Sequence, residues 1–392
     1  MANTLSDQTS SAAPTSVPLL DVHRGNRLLR DEILEAITRV CDSGRFLYGP
    51  EVTQLEESIA AVCHARHAVA CASGSDALLL ALMAFDIGPG DEVIVPSFTF
   101  FATASAVWRI GARIVFADID PVTFNLDPDA VEEAITPATK AIIPVHLFGQ
   151  CADMNAIEEL AVRFDLRVIE DVAQSIGAEY RDRPAGSIGD VGCFSFYPTK
   201  NLGGFGDGGM LTTNDRELAE RLRQLAAHGM KPRYYHKYVG INSRLDSIQA
   251  AVLNLKLSQL GRWTAERQAN AERYRKLLTA AGVDRQIVLP VAKPDRVHVW
   301  NQYTIRVPHG HRDALRAGLT EMKIGSEVYY PVPLHRQECF QSLGYEPGSL
   351  PETERAAQEV LSLPIFPELT EAEQQLVVQR IAEFLSHERA AA

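Results

Sequence analysis

Between residues 64 and 213 the sequence alternates short runs rich in β-branched residues with stretches of helical apolar spacing. This pattern restricts the fold more than any other feature, because alternating strand and helix signals build a mostly parallel sheet with helices on both faces. The runs 67–72, 92–96, 113–119, 141–147 and 167–172 read as strands. Between them, 75–85, 101–110, 128–135 and 154–164 read as helices, the first stopped by Gly88-Pro89-Gly90.

After Arg244 the character changes. A long helical region covers 245–281, followed by a strand near 302–307 and helices near 312–322 and 371–385. At 392 residues the chain exceeds the roughly 250–300 residues at which single cores stop growing. The expected organisation is a large α/β domain over 18–255 and a smaller α+β domain over 256–392. Residues 1–17, rich in Ser, Thr, Ala and Pro without an aromatic, read as a flexible tail.

A net charge of −12 argues against a general nucleic-acid binder or a ligand of anionic membranes. The longest uncharged stretch, 93–108, contains Pro96 and falls short of the ~18 apolar residues of a membrane helix. The first basic residue is Arg24, which speaks against a secretory signal. Six scattered cysteines with no Cys-x-x-Cys pair read as reduced, mostly core-filling thiols, fitting a cytoplasmic location.

Ligands in open α/β sheets sit beyond the carboxyl ends of the strands. The segments there are 73–75, 97–101, 146–150, 171–174 and 195–200. Lys200 has apolar or uncharged neighbours, a setting in which a lysine amine becomes nucleophilic, although a surface lysine in a loop reads equally well from the segment alone. Asp171 ends one strand; it could hold a positive charge or simply cap the next turn. Ser73-Gly74-Ser75-Asp76 opens a helix whose free N–H groups suit a phosphate, while a plain N-cap serine is the bland alternative. Ser195 would add a hydroxyl donor to that phosphate, and Phe100 offers a ring for stacking or for the core. Together these are the parts pyridoxal 5'-phosphate (PLP) requires: a lysine, an acid beside the ring nitrogen, a phosphate cradle and a flat apolar surface.

Two other patterns are set aside. Gly204-Phe205-Gly206-Asp207-Gly208-Gly209 matches G-x-G-x-x-G but precedes a strand rather than a helix, the wrong context for a dinucleotide site. Its glycines fit better as a tight wrap around the Lys200 loop. His64 with His67 and His309 with His311 lack acid or cysteine partners, so no metal site is expected.

Further ordered matches are Gly49-Pro50-Glu51-Val52, Gly88-Pro89-Gly90-Asp91-Glu92-Val93, Pro96-Ser97-Phe98-Thr99-Phe100, Glu170-Asp171-Val172-Ala173-Gln174, Ser195-Phe196-Tyr197-Pro198-Thr199-Lys200, Asn242-Ser243-Arg244-Leu245-Asp246 and Tyr330-Pro331-Val332-Pro333-Leu334-His335. With Ala72-Ser73-Gly74-Ser75-Asp76-Ala77-Leu78 they make the chain from about residue 45 onward resemble the DegT/StrS type of sugar aminotransferase, within the fold-type I PLP enzymes. The resemblance implies an aspartate-aminotransferase-like fold and a homodimer with shared active sites. It implies that Lys200 holds PLP and shuttles protons and that Asp171 pairs with the ring nitrogen. Gln174 would bond near the ring oxygen, Phe100 would stack, and Gly74, Ser75 and Ser195 would bind phosphate. Asn242 would reach the neighbouring subunit's phosphate, and His335, with Tyr330, would lie near the sugar. Lys200 stands where dehydrating relatives carry histidine.

The implied reaction moves an amino group, from glutamate in most relatives, to a nucleotide-diphosphate keto sugar, with a leaning to the third carbon. Lys231, Arg233, Lys237 and Arg244 form a basic run that could meet the diphosphate or be a solvated loop. Rival readings are a PLP enzyme acting on amino acids alone and a non-catalytic regulator on the same fold.

Overall fold

The structure, a computed structural model, describes residues 14–391. Seven strands among them form one sheet: β1 (His67–Cys71), β2 (Glu92–Pro96), β3 (Arg113–Ala117), β4 (Thr139–Ile142), β5 (Arg167–Asp171), β6 (Val191–Ser195) and β7 (Gly209–Thr213). Their order is β1-β7-β6-β5-β4-β2-β3. All neighbours run parallel except that β7 is antiparallel to both β1 and β6. Every residue of β2 and β7 is buried, as expected when helices cover both faces. The two faces follow the alternation of side chains: Ile94 joins a core with Leu55, Ile59, Ile157 and Phe194, while Val93 and Val95 join one with Leu80, Val107, Leu211 and Leu222.

Most of the expected helices form where the sequence places them, with shifts of a residue or two at their ends, while the last, expected over 371–385, runs on to Ala391. The helix Gly74–Ala84 is apolar almost throughout because it is enclosed, with Leu78, Leu80 and Leu82 all buried. Two readings are corrected. The strand expected over 141–147 ends at Ile142, and Leu147–Gly149 instead makes a 3-10 turn in which Phe148 takes a positive φ of 59°. The single helix expected over 245–281 is two, Ser247–Leu257 and Leu260–Ala280, broken at Ser258 and Gln259.

Beyond the sheet, the antiparallel strands β8 (Tyr303–Arg306) and β9 (Val360–Leu363) pack with the helices Arg312–Glu321 and Glu371–Ala391. Their core includes Tyr274, Tyr303, Leu315, Phe366 and Ile381, and it also takes in Phe98, Phe124 and Phe148 from the large sheet's loops. Val17 belongs to this core as well: it is buried, its N–H donates to the Lys323 carbonyl at 3.0 Å, and its carbonyl accepts from Gly325 at 2.7 Å. The end of the segment read as a tail is therefore packed, while residues 1–13 lie outside the described residues. Of the six cysteines, four are buried and all are free. Among the described residues no helix is long and apolar enough to cross a membrane.

Candidate active site

The carboxyl ends of β1, β5 and β6 converge, and β7 is the reason. Gly209 pairs with Cys71 of β1 on one side and with Ser195 of β6 on the other, so two strands that are not neighbours end side by side. Ser73 follows β1 and caps the next helix, its hydroxyl accepting from the Asp76 N–H at 3.1 Å. That cap leaves the N–H groups of Gly74 and Ser75 without partners inside the helix. Gly74 lies directly against Ser195: a Cβ added there would stand 2.6 Å from Ser195 Cβ, so only glycine fits. The structure thus brings Gly74, Ser75 and Ser195 together, and Ser73 is the N-cap as well as part of the cradle.

Asp171 closes β5 and is buried. The Thr103 hydroxyl donates to its Oδ2 at 2.8 Å and the Ala173 N–H to its Oδ1 at 3.1 Å. Burial pushes its carboxyl above the ordinary range, and Thr103, Ala173, Lys200 and His146 pull against that shift. With one donor on each oxygen, the carboxylate keeps lone pairs for a further donor.

Lys200 sits in the turn after β6. Its N–H donates to the Tyr197 carbonyl, and Gly204 N–H returns to Phe196, closing the loop on itself. The closure depends on Gly203, where a Cβ would lie 2.4 Å from the Pro198 carbonyl oxygen. The Lys256 ammonium holds the Gly203 carbonyl at 2.5 Å and Asn201 holds the Val299 carbonyl at 3.0 Å, so the loop is anchored at two points. Lys200 is half-buried, and among the described residues none hydrogen-bonds its amine. Burial pulls that amine below the usual lysine range, opposed by the nearby charge of Asp171. The amine therefore lies within electrostatic reach of a buried acid.

Gln174 stands three residues after Asp171. Its Oε1 accepts from the Phe148 N–H at 2.7 Å, which turns its amide group to donate to the Tyr330 hydroxyl at 3.1 Å. The Tyr330 ring lies 6.2 Å from Phe100, whose own ring is more than half exposed. Phe100 caps the helix Phe101–Arg109 with an extended backbone and so stands clear of the core as an open aromatic face.

His335 follows closely on the segment that carries Tyr330. Its ring is buried, with Nδ1 2.7 Å from the Ser97 hydroxyl and Nε2 3.2 Å from Glu354. It ties the segment carrying Tyr330 to the end of β2 and is not brought into the Lys200–Asp171 group. Asn242 is exposed, while its neighbour Ser243 accepts from the Ala72 N–H at 3.1 Å beside the cradle. Lys231 and Arg233 lie on an exposed loop; Lys231 pairs with Glu220 at 3.2 Å and Arg233 stacks over Tyr234.

Several participants were missed from sequence. Thr103 carries no local signal. His146 and Glu170 form a fully buried pair at 2.9 Å, in which Ala152 N–H donates to His146 Nδ1, so Nε2 carries the proton toward Glu170. Glu170 also accepts from the N–H groups of Gly186, Ile188 and Gly189, and these donors together hold it below the carboxylate range despite its burial. His146 follows β4 by four residues, and its partner Glu170 lies within β5. Among the described residues no group of three or more His, Cys, Asp or Glu is placed to hold a metal ion.

Fold and site together define an α/β protein with a half-buried lysine near a buried acid and an anion cradle at the carboxyl edge of its sheet. Residues 27–382 match the model of the DegT/DnrJ/EryC1/StrS aminotransferase family, and the chain belongs to that family. It is 54% identical over 372 residues to a "pleiotropic regulatory protein" of Geobacillus stearothermophilus, covering 95% of this chain and 99% of that one. It is 46% identical over 357 residues to UDP-N-acetyl-3-dehydro-alpha-D-glucosamine 3-aminotransferase of Acidithiobacillus ferrooxidans, covering 91% and 95%. Among solved structures, S. venezuelae DesV in complex with a ketimine intermediate superposes with a TM-score of 0.91 at 46% identity, covering 95% of this chain and 99% of that one.

Proposed function

We propose that this protein is a PLP-dependent aminotransferase that moves an amino group from an amino acid, L-glutamate, to a nucleotide-diphosphate-linked 3-keto sugar, in amino-sugar or polysaccharide biosynthesis. The observation that carries the reading is the meeting of Lys200 and Asp171 beside the Gly74–Ser195 cradle. These residues fit the cofactor: a cradle with free N–H donors for phosphate, an acid with lone pairs to spare, and a lysine whose amine burial pulls below the usual range. The 3-keto assignment draws on the substrate named for the A. ferrooxidans relative.

When bound, PLP supplies an aldehyde to carry the amino group and a ring that withdraws electrons. The chain does the rest. Gly74, Ser75 and Ser195 hold the phosphate, Phe100 offers the stacking face, and Asp171 holds positive charge on the ring nitrogen. Gln174, turned by the Phe148 N–H, sets the Tyr330 hydroxyl at the rim. Lys200 Nζ takes the proton from the Cα of glutamate and later delivers one to the sugar carbon that receives nitrogen. Burial is what frees this amine to act as a base, so its working range extends below that of an ordinary lysine. The working unit is a homodimer in the cytoplasm, Asn242 reaching toward the partner's cofactor phosphate. Lys231 and Arg233 meet the sugar diphosphate at that same interface.

A second reading, a regulator that binds cofactor or sugar without turnover, is favoured by the name of the G. stearothermophilus relative. Both are tested by incubating the protein with PLP, L-glutamate and a panel of UDP- and dTDP-linked 3-keto and 4-keto sugars while following 2-oxoglutarate. Formation of 2-oxoglutarate with the 3-keto sugars is expected. Cofactor binding without 2-oxoglutarate from any sugar would favour the regulator.

A further inference from the structure

Asp171 is a buried acid, and burial favours its neutral form. Something must hold the carboxylate ionised and aimed. Among the described residues two groups hydrogen-bond the carboxylate, and one, the Ala173 N–H, belongs to its own turn. The other, the Thr103 hydroxyl, comes from a different element and is the strongest of the groups opposing burial.

Thr103 is fully buried in the first turn of the helix Phe101–Arg109. A helical threonine ordinarily bonds its hydroxyl back to the carbonyl four residues earlier. Thr103 instead spends its single proton on Asp171 Oδ2 at 2.8 Å. Its oxygen stands 3.4 Å from the hydroxyl of Thr99, also buried. An ionised carboxylate only accepts, so the direction of the chain is fixed: Thr99 gives to Thr103, and Thr103 gives to Asp171. The same helix start carries Phe100 at its cap. One rigid element therefore presents both the stacking ring and the donor that sets the acid. The other groups acting on or acted on by Asp171 are Lys200, His146, Cys193 and Tyr330; the His146 N–H donates to the Asp171 backbone carbonyl at 3.0 Å, and among the described residues none of the four hydrogen-bonds its carboxylate oxygens.

We propose that Thr103, oriented by Thr99, is a positioning residue that fixes the aim and the charge of the Asp171 carboxylate; this rests on the reading of Asp171 as partner of the cofactor ring nitrogen. Removing the donor makes Asp171 a stronger base, so the proton shared with the ring moves toward the acid. A ring that has lost its charge no longer repels the protonated link at Lys200, and that link holds its proton to higher pH.

The test uses the full chain stripped of PLP, as wild type, Thr103→Val, Thr103→Ser and Thr99→Val. Each is titrated with PLP, and the visible band of the bound cofactor is followed against pH. Thr103→Val should bind PLP about tenfold to a hundredfold more weakly, the loss expected for one hydrogen bond to a charged group, and its band should change at a higher pH. Thr103→Ser should stay within about threefold of wild type, since it keeps the hydroxyl. Thr99→Val should move both readings the same way by less, and it serves if Thr103→Val does not fold. Wild-type affinity and pH midpoint in Thr103→Val, or equal losses in the Val and Ser variants, would overturn the proposal. If the wild type itself takes up no PLP, the functional reading fails rather than the role of Thr103.

Discussion

Gly74→Ala probes the cradle with a single methyl group. The new Cβ would lie 2.6 Å from Ser195 Cβ and 3.1 Å from Ser195 Cα, against an ordinary carbon contact of about 3.5–4.0 Å. Helix start and strand end must separate by roughly 1 Å, yet Ser195 is held by its ladder pairing with Gly209 and Gly74 by the Ser73 cap. Overpacking of this kind costs about 1–3 kcal/mol, partly offset by the better helix propensity of alanine, up to ~1 kcal/mol. The folded protein should therefore survive with a modest loss. Cofactor affinity should suffer more, because the Gly74 and Ser75 N–H groups move away from the Ser195 hydroxyl. Losing alignment of one donor to a charged phosphate is worth about 1.5–3 kcal/mol, a tenfold to hundredfold rise in the PLP dissociation constant. The assay is fluorescence titration of the apoprotein with PLP beside a thermal melt. Gly261→Ala is the control: nothing lies within 4 Å of its added Cβ, so neither reading should fall. A Gly74→Ala protein that binds PLP as tightly as wild type would refute the assignment of this helix start as the phosphate site.

Three further outcomes follow from named residues. Burial pulls His298 down to about 3, with its ring stacked on Trp300 at 3.8 Å and its Nδ1 accepting from the Trp300 N–H. The folded state keeps it neutral while the unfolded chain takes up a proton below about pH 6.5, so its stability contribution is whole above that pH and is lost as pH falls toward 3. Urea midpoints measured from pH 7 to 4 should drop less steeply in His298→Phe, and an identical slope would contradict the assignment. Glu170→Gln turns an amide toward N–H donors that both carboxylate oxygens now satisfy; it should cost on the order of 3 kcal/mol by denaturant unfolding, and a loss under about 1 would count against the pair as a fixed strut. Lys231→Ala with Arg233→Ala, both exposed, should leave the melt unchanged and raise the KM for the keto sugar severalfold while sparing the glutamate half-reaction. An unchanged KM would remove them from the diphosphate site.

Sequence pattern was most informative where one physical rule dominated. Strands of a covered parallel sheet are buried on both faces, so β2 and the helix Met154–Phe164 could be delimited to the residue from periodicity. Ser73, Asp171 and Lys200 could be singled out as candidates because ligands gather at strand ends. The position of β7 was not, since an antiparallel strand inside a mostly parallel sheet leaves no local mark, and its pairing alone brings Ser195 to Gly74. Thr103 was hidden for a similar reason: a threonine in a helix looks the same whether its hydroxyl turns back to its own carbonyls or across to an acid 68 residues away. His335 shows the converse. Its place in a motif gave no sign that its ring would tie two segments through Ser97 and Glu354. The packing of Val17 depended on a backbone exchange with Gly325, which composition does not register.

The account stands on Lys200 as the residue that carries the cofactor. The direct measurement is the absorbance spectrum of the purified protein with PLP, before and after L-glutamate, beside Lys200→Ala. A visible band that bleaches with glutamate in the wild type and is missing from the variant is the predicted result. A protein that stays colourless with added PLP, or a Lys200→Ala variant that keeps the same band, would contradict it.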